Sequence, residues 1–115
     1  MNTNNYGSRE ACQRLVDVGI VLETEAHWIK YGPEWELKFR QGVDAEYGIP
    51  APSMAEVLRV LPIGATIEKA GNCYHAFVVI EGGYGRIIRA NPADTLIDLL
   101  IWVRKEGGEN ERNMS

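Results

Sequence analysis

The clearest pattern of apolar and polar positions lies in residues 91–107, near the end of the chain. At 100° per residue, seven apolar side chains of this segment fall on one continuous sector covering roughly half of a helix circumference. They are Ala93, Leu96, Ile97, Leu99, Leu100, Ile101 and Val103. Asn91 and Pro92 suit a helix start, and Gly107 supplies a stop signal. The pattern predicts a helix near 92–106 that packs against more than one neighbour.

Helical spacing of apolar residues also predicts three shorter helices, near 9–18, 23–30 and 54–61. Ser53 and Glu56 match a capping box, in which each side chain satisfies a free backbone amide at the start of the third of these helices. The second is expected to end before Gly32 and Pro33 because proline cannot continue a helix.

Alternation of apolar and polar residues predicts four strands, near 34–40, 65–69, 73–81 and 84–90. If Gly82 and Gly83 form a two-residue turn, Glu81 pairs with Tyr84, which places Phe77 opposite Ile88 and Val78 opposite Ile87. Both faces of this hairpin are then apolar, so helices or a second chain should cover both. The glycines and prolines of residues 41–52 predict a loop.

These elements predict an α+β fold in which a small, mostly antiparallel sheet of about four strands packs with about four helices. The length of 115 residues fits one domain spanning 1–115, with frayed ends near 1–7 and 108–115. Because the last helix supplies so much apolar surface, truncation before Asn91 is expected to unfold the chain.

Composition narrows the class of protein. The formal net charge of -4 gives no strong signal for nucleic-acid binding, which depends on many contacts from lysine and arginine to phosphates. No apolar run is long enough to predict a membrane span, and the first residues lack the pattern of a secretory signal. We therefore expect a cytoplasmic protein that does not bind membranes.

Cys73 and His75 are the sharpest candidates for chemistry. They stand two positions apart in a predicted strand, so their side chains share a face, where a thiol and an imidazole could act as nucleophile and base. A packed sheet surface is the competing interpretation, since Phe77 and Val79 extend the same face. The spacing of Cys12, Cys73, His27 and His75 matches no compact zinc pattern, so we predict no metal and no cofactor.

Aromatic residues provide candidates for an interface. Trp28 and Tyr31 lie near a predicted turn, and Trp102 falls at the edge of the polar side of the last helix. Such side chains offer a large contact area together with a polar group. Together with Ile97 and Ile101 on the last helix, they are the predicted interface, with simple burial of Trp102 as the alternative.

Two stretches resemble small proteins encoded in phage and mobile elements of gut bacteria. They are Tyr47-Gly-Ile-Pro-Ala-Pro-Ser-Met-Ala-Glu-Val-Leu-Arg-Val-Leu-Pro62 and Asn91-Pro-Ala-Asp-Thr-Leu-Ile-Asp-Leu-Leu-Ile-Trp102. The resemblance covers about half of the chain and implies no activity, cofactor or functional residue. It implies the setting of a small accessory protein of a mobile element.

The leading hypothesis from the sequence is a non-enzymatic interaction protein that binds a partner, or itself as a homodimer, through the last helix and nearby aromatic residues. The alternative is a small cysteine-dependent hydrolase or transferase that uses Cys73 and His75.

Overall fold

The computed structural model describes residues 5–39 and 48–114 and, within these ranges, the side chains of all residues except Tyr31 and 107–114. These ranges contain three helices and six strands. The helices are α1 (Arg9–Asp17), α2 (Met54–Val60) and α3 (Pro92–Met114). The strands are β1 (Ala26–Tyr31), β2 (Glu34–Phe39), β3 (Gly48–Ala51), β4 (Thr66–Ala70), β5 (Cys73–Ile80) and β6 (Gly83–Arg89). The α+β class predicted from the sequence is confirmed.

The strands form two antiparallel sheets of three strands each. The first sheet has the order β2-β1-β3, and the second has the order β4-β5-β6. Gly32 and Pro33 make the two-residue turn between β1 and β2, where Tyr31 pairs with Glu34. Gly32 has a φ of 61°, a backbone conformation that glycine adopts without strain.

Helix α3 lies at the centre of the molecule. It contacts β5 and β6 of the second sheet and also packs against α1 and α2, while β3 of the first sheet contacts α1. Four of its large apolar side chains are completely buried: Leu96, Ile97, Leu99 and Leu100. Burial of each contributes about 1.5–3 kcal/mol before ordering costs are subtracted. The prediction that this helix packs against several neighbours is confirmed.

Polar contacts fix the start of α3 against the start of α1. The Oδ1 atom of Asn91 accepts a hydrogen bond from the backbone nitrogen of Asp94 at 3.0 Å, which caps α3 as the sequence predicts. The carboxylate of Asp94 in turn accepts a hydrogen bond of 2.7 Å from the backbone nitrogen of Ser8, the N-cap residue of α1. The two helix starts are therefore directly connected.

A second carboxylate joins three elements. Asp98 on α3 accepts hydrogen bonds of 3.0 Å from Nε and Nη2 of Arg14 on α1 and one of 3.0 Å from Nε of Arg89 on β6. Hydrogen bonds that involve charged groups on both sides are stronger than neutral ones. Asp98 therefore holds α1 and β6 in fixed positions on α3.

The predicted helix near 23–30 is wrong, because this segment leads into β1, which begins at Ala26. β1 is the central strand of the first sheet and pairs with β2 on one side and β3 on the other. It contains His27, Trp28 and Ile29, and aromatic and β-branched residues of this kind favour strands. Pairing on both sides outweighs a helical spacing that rests on few apolar residues.

The predicted single sheet of four strands and the loop over 41–52 are also corrected. β2 belongs to a separate sheet with β1 and β3, and β3 occupies Gly48–Ala51 within the predicted loop. Residues 40–47 lie outside the described residues. Pro50 is compatible with β3 because β3 is an edge strand, where a missing backbone donor need not break a ladder.

The hairpin of β5 and β6 has a register different from the predicted one. Ile80 pairs with Gly83, so the turn consists of Glu81 and Gly82, and Phe77 lies opposite Arg86 instead of Ile88. The shift is two residues, and side chains alternate with a period of two. The faces predicted for the side chains are therefore kept although the predicted partners are wrong.

Helix α3 continues to Met114 instead of ending near residue 106. Gly107 disfavours a helix interior by only about 1 kcal/mol and does not force a stop. In the part of the chain that the structure describes, no helix has both the length and the apolar character that a membrane span requires.

Packed residues lie close to the start of the described chain. The backbone nitrogen of Gly7 donates a hydrogen bond of 3.0 Å to the carbonyl oxygen of Pro52, and the ring of Tyr6 meets that of Phe39 edge-on at 5.1 Å between centroids. Tyr6 and Gly7 both fall in the segment 1–7, for which the sequence predicts fraying.

Candidate interaction surface

The second sheet has one covered face and one open face. The side chains of Ala76 and Val78 on β5 point to the same side, and both are completely buried against the helices. Gly85 lies opposite Val78 on this side, and the indole of Trp102 on α3 rests against it. We call this side the inner face of the sheet.

The opposite side, which we call the outer face, follows from the strand register. It consists of Thr66, Glu68 and Ala70 on β4, Cys73, His75, Phe77 and Val79 on β5, and Tyr84, Arg86 and Ile88 on β6. Three of its apolar residues are strongly exposed: Val79 at 64%, Tyr84 at 65% and Ile88 at 46%. No described helix packs against these three side chains as α3 packs against the inner face.

Two aromatic side chains of the outer face contact each other. Phe77 and Tyr84 lie on adjacent strands, with ring centroids 5.6 Å apart and ring planes inclined by 39°. Val79 pairs directly with Tyr84, and Ile88 pairs with His75. Phe77, Val79 and Tyr84 thus occupy neighbouring positions, whereas Arg86 separates Tyr84 from Ile88 along β6.

The charged residues of the outer face lie at opposite edges. Glu68 is on edge strand β4 and Arg86 is on edge strand β6. The Oε1 atom of Glu68 lies 3.4 Å from Nδ1 of His75, a long contact for a hydrogen bond. Within the described residues, Arg86 forms no ion pair.

Cys73 and His75 share the outer face, as the sequence predicts for alternate residues of a strand. No hydrogen bond joins them among the described residues, and Nε2 of His75 is buried without a partner. A working nucleophile and base need a direct hydrogen bond or one that substrate binding can form. The structure brings Glu68 to His75 instead, a residue that the sequence analysis did not single out.

The other cysteine is buried in the core. Burial raises the pKa of the Cys12 thiol to about 12, and the nearby carboxylate of Asp94 adds to this effect. At neutral pH the side chain is a protonated thiol, which is a poor nucleophile and a poor metal ligand. Across the described residues, no three side chains from histidine, cysteine, aspartate and glutamate come together as a candidate metal site.

The interface residues predicted on α3 lie mostly inside the molecule. Ile97 is completely buried, Ile101 is partly buried against the core, and Trp102 is partly buried over Gly85. Trp28 is partly buried and donates a hydrogen bond of 2.8 Å from Nε1 to the carbonyl oxygen of Gly7. Tyr31 ends β1, and its side chain lies outside the described residues.

The exposed apolar residues of the outer face were not singled out as an interface from the sequence. The signal that points to them is the hairpin pattern itself, because the predicted strands carry apolar residues on both faces. A single chain of this size has one long helix to cover one such face, which leaves the other open.

The comparisons with known proteins add no further guide. No protein-family model matches this sequence, and neither a curated protein nor a solved structure was found to match it.

Proposed function

We propose that this chain is a non-enzymatic interaction protein that binds a protein partner, or itself, through the outer face. The observation that carries the proposal is the exposure of Val79, Tyr84 and Ile88 on one face of a sheet whose other face buries Ala76 and Val78. Contiguous apolar patches on a protein surface usually mark binding sites. An apolar centre with charged residues at its margin is the common composition of a protein interface.

The proposed surface differs from the one favoured by the sequence. The wide apolar arc of α3 supports an internal role, because Ile97 is completely buried and Trp102 covers Gly85. The outer face carries the same kind of residue, large and partly aromatic, without a covering element. We therefore place the binding surface on β4, β5 and β6.

The cellular setting stays a prediction. A cytoplasmic location, and an origin in phage or mobile elements, rest on the sequence and on the resemblance described above. A small binding protein without a catalytic centre suits the role of an accessory factor in that setting.

The rival function is a cysteine-dependent hydrolase or transferase, and the position of Glu68 next to His75 is the observation in its favour. A carboxylate that orients a histidine would supply the third group of a Cys-His-Glu arrangement. The missing hydrogen bond between Cys73 and His75 weighs against it. The rival requires a Cys73 thiol that reacts unusually fast at neutral pH.

Site-specific photo-crosslinking in the organism that encodes the chain tests the proposed surface. A photoreactive phenylalanine analogue replaces Tyr84, and in the matched control it replaces Val21, which is 87% exposed between α1 and β1. We expect a discrete covalent adduct, to a partner protein or to a second copy, from position 84 alone. Equal yields at both positions, or no adduct at position 84, would contradict the proposed function.

A further inference from the structure

We propose that the occupant of the outer face is the outer face of a second copy of this chain, with the two sheets stacked about a two-fold axis that runs along the strands. This inference rests on the proposed function and names its partner. Closed two-fold dimers are the most common oligomers, and their interfaces require a surface that is complementary to itself.

The arrangement of residues on the outer face meets that requirement. Thr66, Phe77 and Arg86 form one row across the three strands, so Phe77 lies at the centre of the face. Glu68 follows Thr66 by two positions on β4, and Arg86 lies on the opposite edge strand. The face therefore carries one acidic residue on one edge strand and one basic residue on the other, with Phe77 between the two strands.

A two-fold axis along β5 exchanges the two edges. It places β4 of one copy against β6 of the other, so that Arg86 of the second copy lies over Thr66 of the first. Glu68 is two residues farther along the same strand, or about 7 Å away. An arginine side chain spans that distance, and symmetry produces the Glu68–Arg86 contact twice.

The alternative axis, which lies across the strands, is unfavourable. It places β6 against β6 of the second copy and brings the two Arg86 side chains together at the centre row. Juxtaposed like charges oppose association. The positions of the charges thus select the axis along the strands, while the apolar side chains of the face supply the attraction.

The size of the face sets the expected affinity. A sheet of three strands with strands of this length is about 14 Å wide and about 24 Å long, so its face covers about 340 Å². This area is small beside the roughly 800 Å² that each partner buries in a standard interface. Stacked sheets pack about 10 Å apart, so the side chains of both faces interdigitate. We expect a weak dimer whose population depends on concentration.

Sedimentation equilibrium over a range from low micromolar to millimolar concentration tests the pairing. The expected weight-average mass rises from 12.9 kDa toward twice that value. Val79→Lys, at an exposed position of the face near the end of β5, should abolish the rise, and Val21→Lys, at a site 87% exposed elsewhere, should leave it unchanged. Circular dichroism and thermal melting of each variant confirm that it folds.

Charge reversal tests the geometry. Glu68→Arg and Arg86→Glu should each weaken self-association by about tenfold or more, because each replaces two attractive contacts with two repulsive ones. The double variant E68R/R86E restores both contacts and should dimerise like the original chain. An equimolar mixture of the two single variants should associate more strongly than either variant alone.

Each outcome decides a specific statement. An unaltered chain that stays monomeric throughout contradicts the second copy as occupant, and a crosslink from position 84 to a different protein would then leave the proposed function standing. Dimerisation that survives Val79→Lys contradicts the outer face as its site. Dimerisation that neither charge reversal weakens, or that is not restored in E68R/R86E, contradicts the axis along the strands.

Discussion

The indole ring of Trp102 lies directly against the backbone of Gly85. A Cβ atom at Gly85 would stand 2.4 Å from Cε3 and 2.5 Å from Cζ3 of that ring, which is closer than nonbonded carbon atoms approach. Helix α3 therefore packs on the inner face of β6 at a separation that only a glycine allows. This contact closes one side of the second sheet and leaves the outer face as its open side.

Gly85→Ala should destabilise the fold. The added methyl group has to displace a packed indole, and overpacking of this kind typically costs about 1–3 kcal/mol. We expect a decrease of that size in the free energy of unfolding, measured by urea denaturation followed by circular dichroism. Trp102 fluorescence should also change, because its ring must move.

The matched control for this prediction is the double variant Gly85→Ala with Trp102→Leu. The smaller side chain makes room for the methyl group, so the double variant should be more stable than the sum of the two single effects predicts. Strict additivity of the two changes would contradict a direct contact between residues 85 and 102.

Asp98→Asn should loosen the connection among α1, α3 and β6. An amide retains one acceptor oxygen and loses the negative charge that both Arg14 and Arg89 contact. Because both arginines are about half exposed, the expected loss is about 1–2 kcal/mol of unfolding free energy. Asp17→Asn, an exposed change that touches Gln13 alone among the described hydrogen bonds, should lose less than half of that.

Removal of α3 should unfold the chain. A stop codon in place of Asn91 deletes the helix whose apolar side chains form the centre of the core. The expected product lacks a cooperative thermal transition. A stop after Glu106 is the control, because the buried side chains that the structure describes on α3 all precede residue 104, and it should keep the transition.

How far the sequence predicts this fold depends on how much of the pattern is local. The helix starts at Ser53 and Asn91 were predictable, because capping is a contact between residues three positions apart. The strand β1 was not, since its pairing with β2 and β3 is a relationship across the fold that outweighs the helical spacing of residues 23–30. The register of β5 and β6 was missed because registers two residues apart give the same apolar alternation.

The candidate surface, like the fold, was predictable only in part. Cys73 and His75 do share a strand face, which follows from their spacing. The burial of Ile97 and the contact of Trp102 with Gly85 depend on which elements surround α3. The sequence pattern shows the width of the apolar arc of this helix but not the elements that pack against it. The open outer face appeared in the sequence as a hairpin that is apolar on both sides.

The two cysteines should differ in reactivity. The buried Cys12 thiol, whose pKa burial raises to about 12, should resist iodoacetamide at neutral pH until the protein unfolds. Cys73 is partly exposed, and its alkylation can be measured alone in a Cys12→Ala background. If the chain is an interaction protein, we expect Cys73 to be alkylated no faster than an ordinary thiol. Alkylation of Cys73 much faster than that of a thiol peptide would favour the enzymatic alternative.

The pKa of Cys12 also predicts a dependence of stability on alkaline pH. Its folded-state pKa lies above its ordinary value of 9.0, so the unfolded chain releases the proton first as the pH rises. The protonated thiol makes its full contribution to the free energy of unfolding below pH 9.0. This contribution is lost between pH 9.0 and about 12, with a slope of at most about 1.4 kcal/mol per pH unit. Cys12→Ala should show a shallower decline in unfolding free energy over this interval.

The central claim is that the outer face of the second sheet binds the outer face of a second copy of this chain. A series of two-dimensional amide NMR spectra recorded at increasing protein concentration tests it most directly. We predict that the amide signals of Glu68, Phe77, Val79, Tyr84 and Arg86 shift with concentration while those of α1 stay in place. Signals that stay constant across the series, or shifts confined to the last helix, would contradict it.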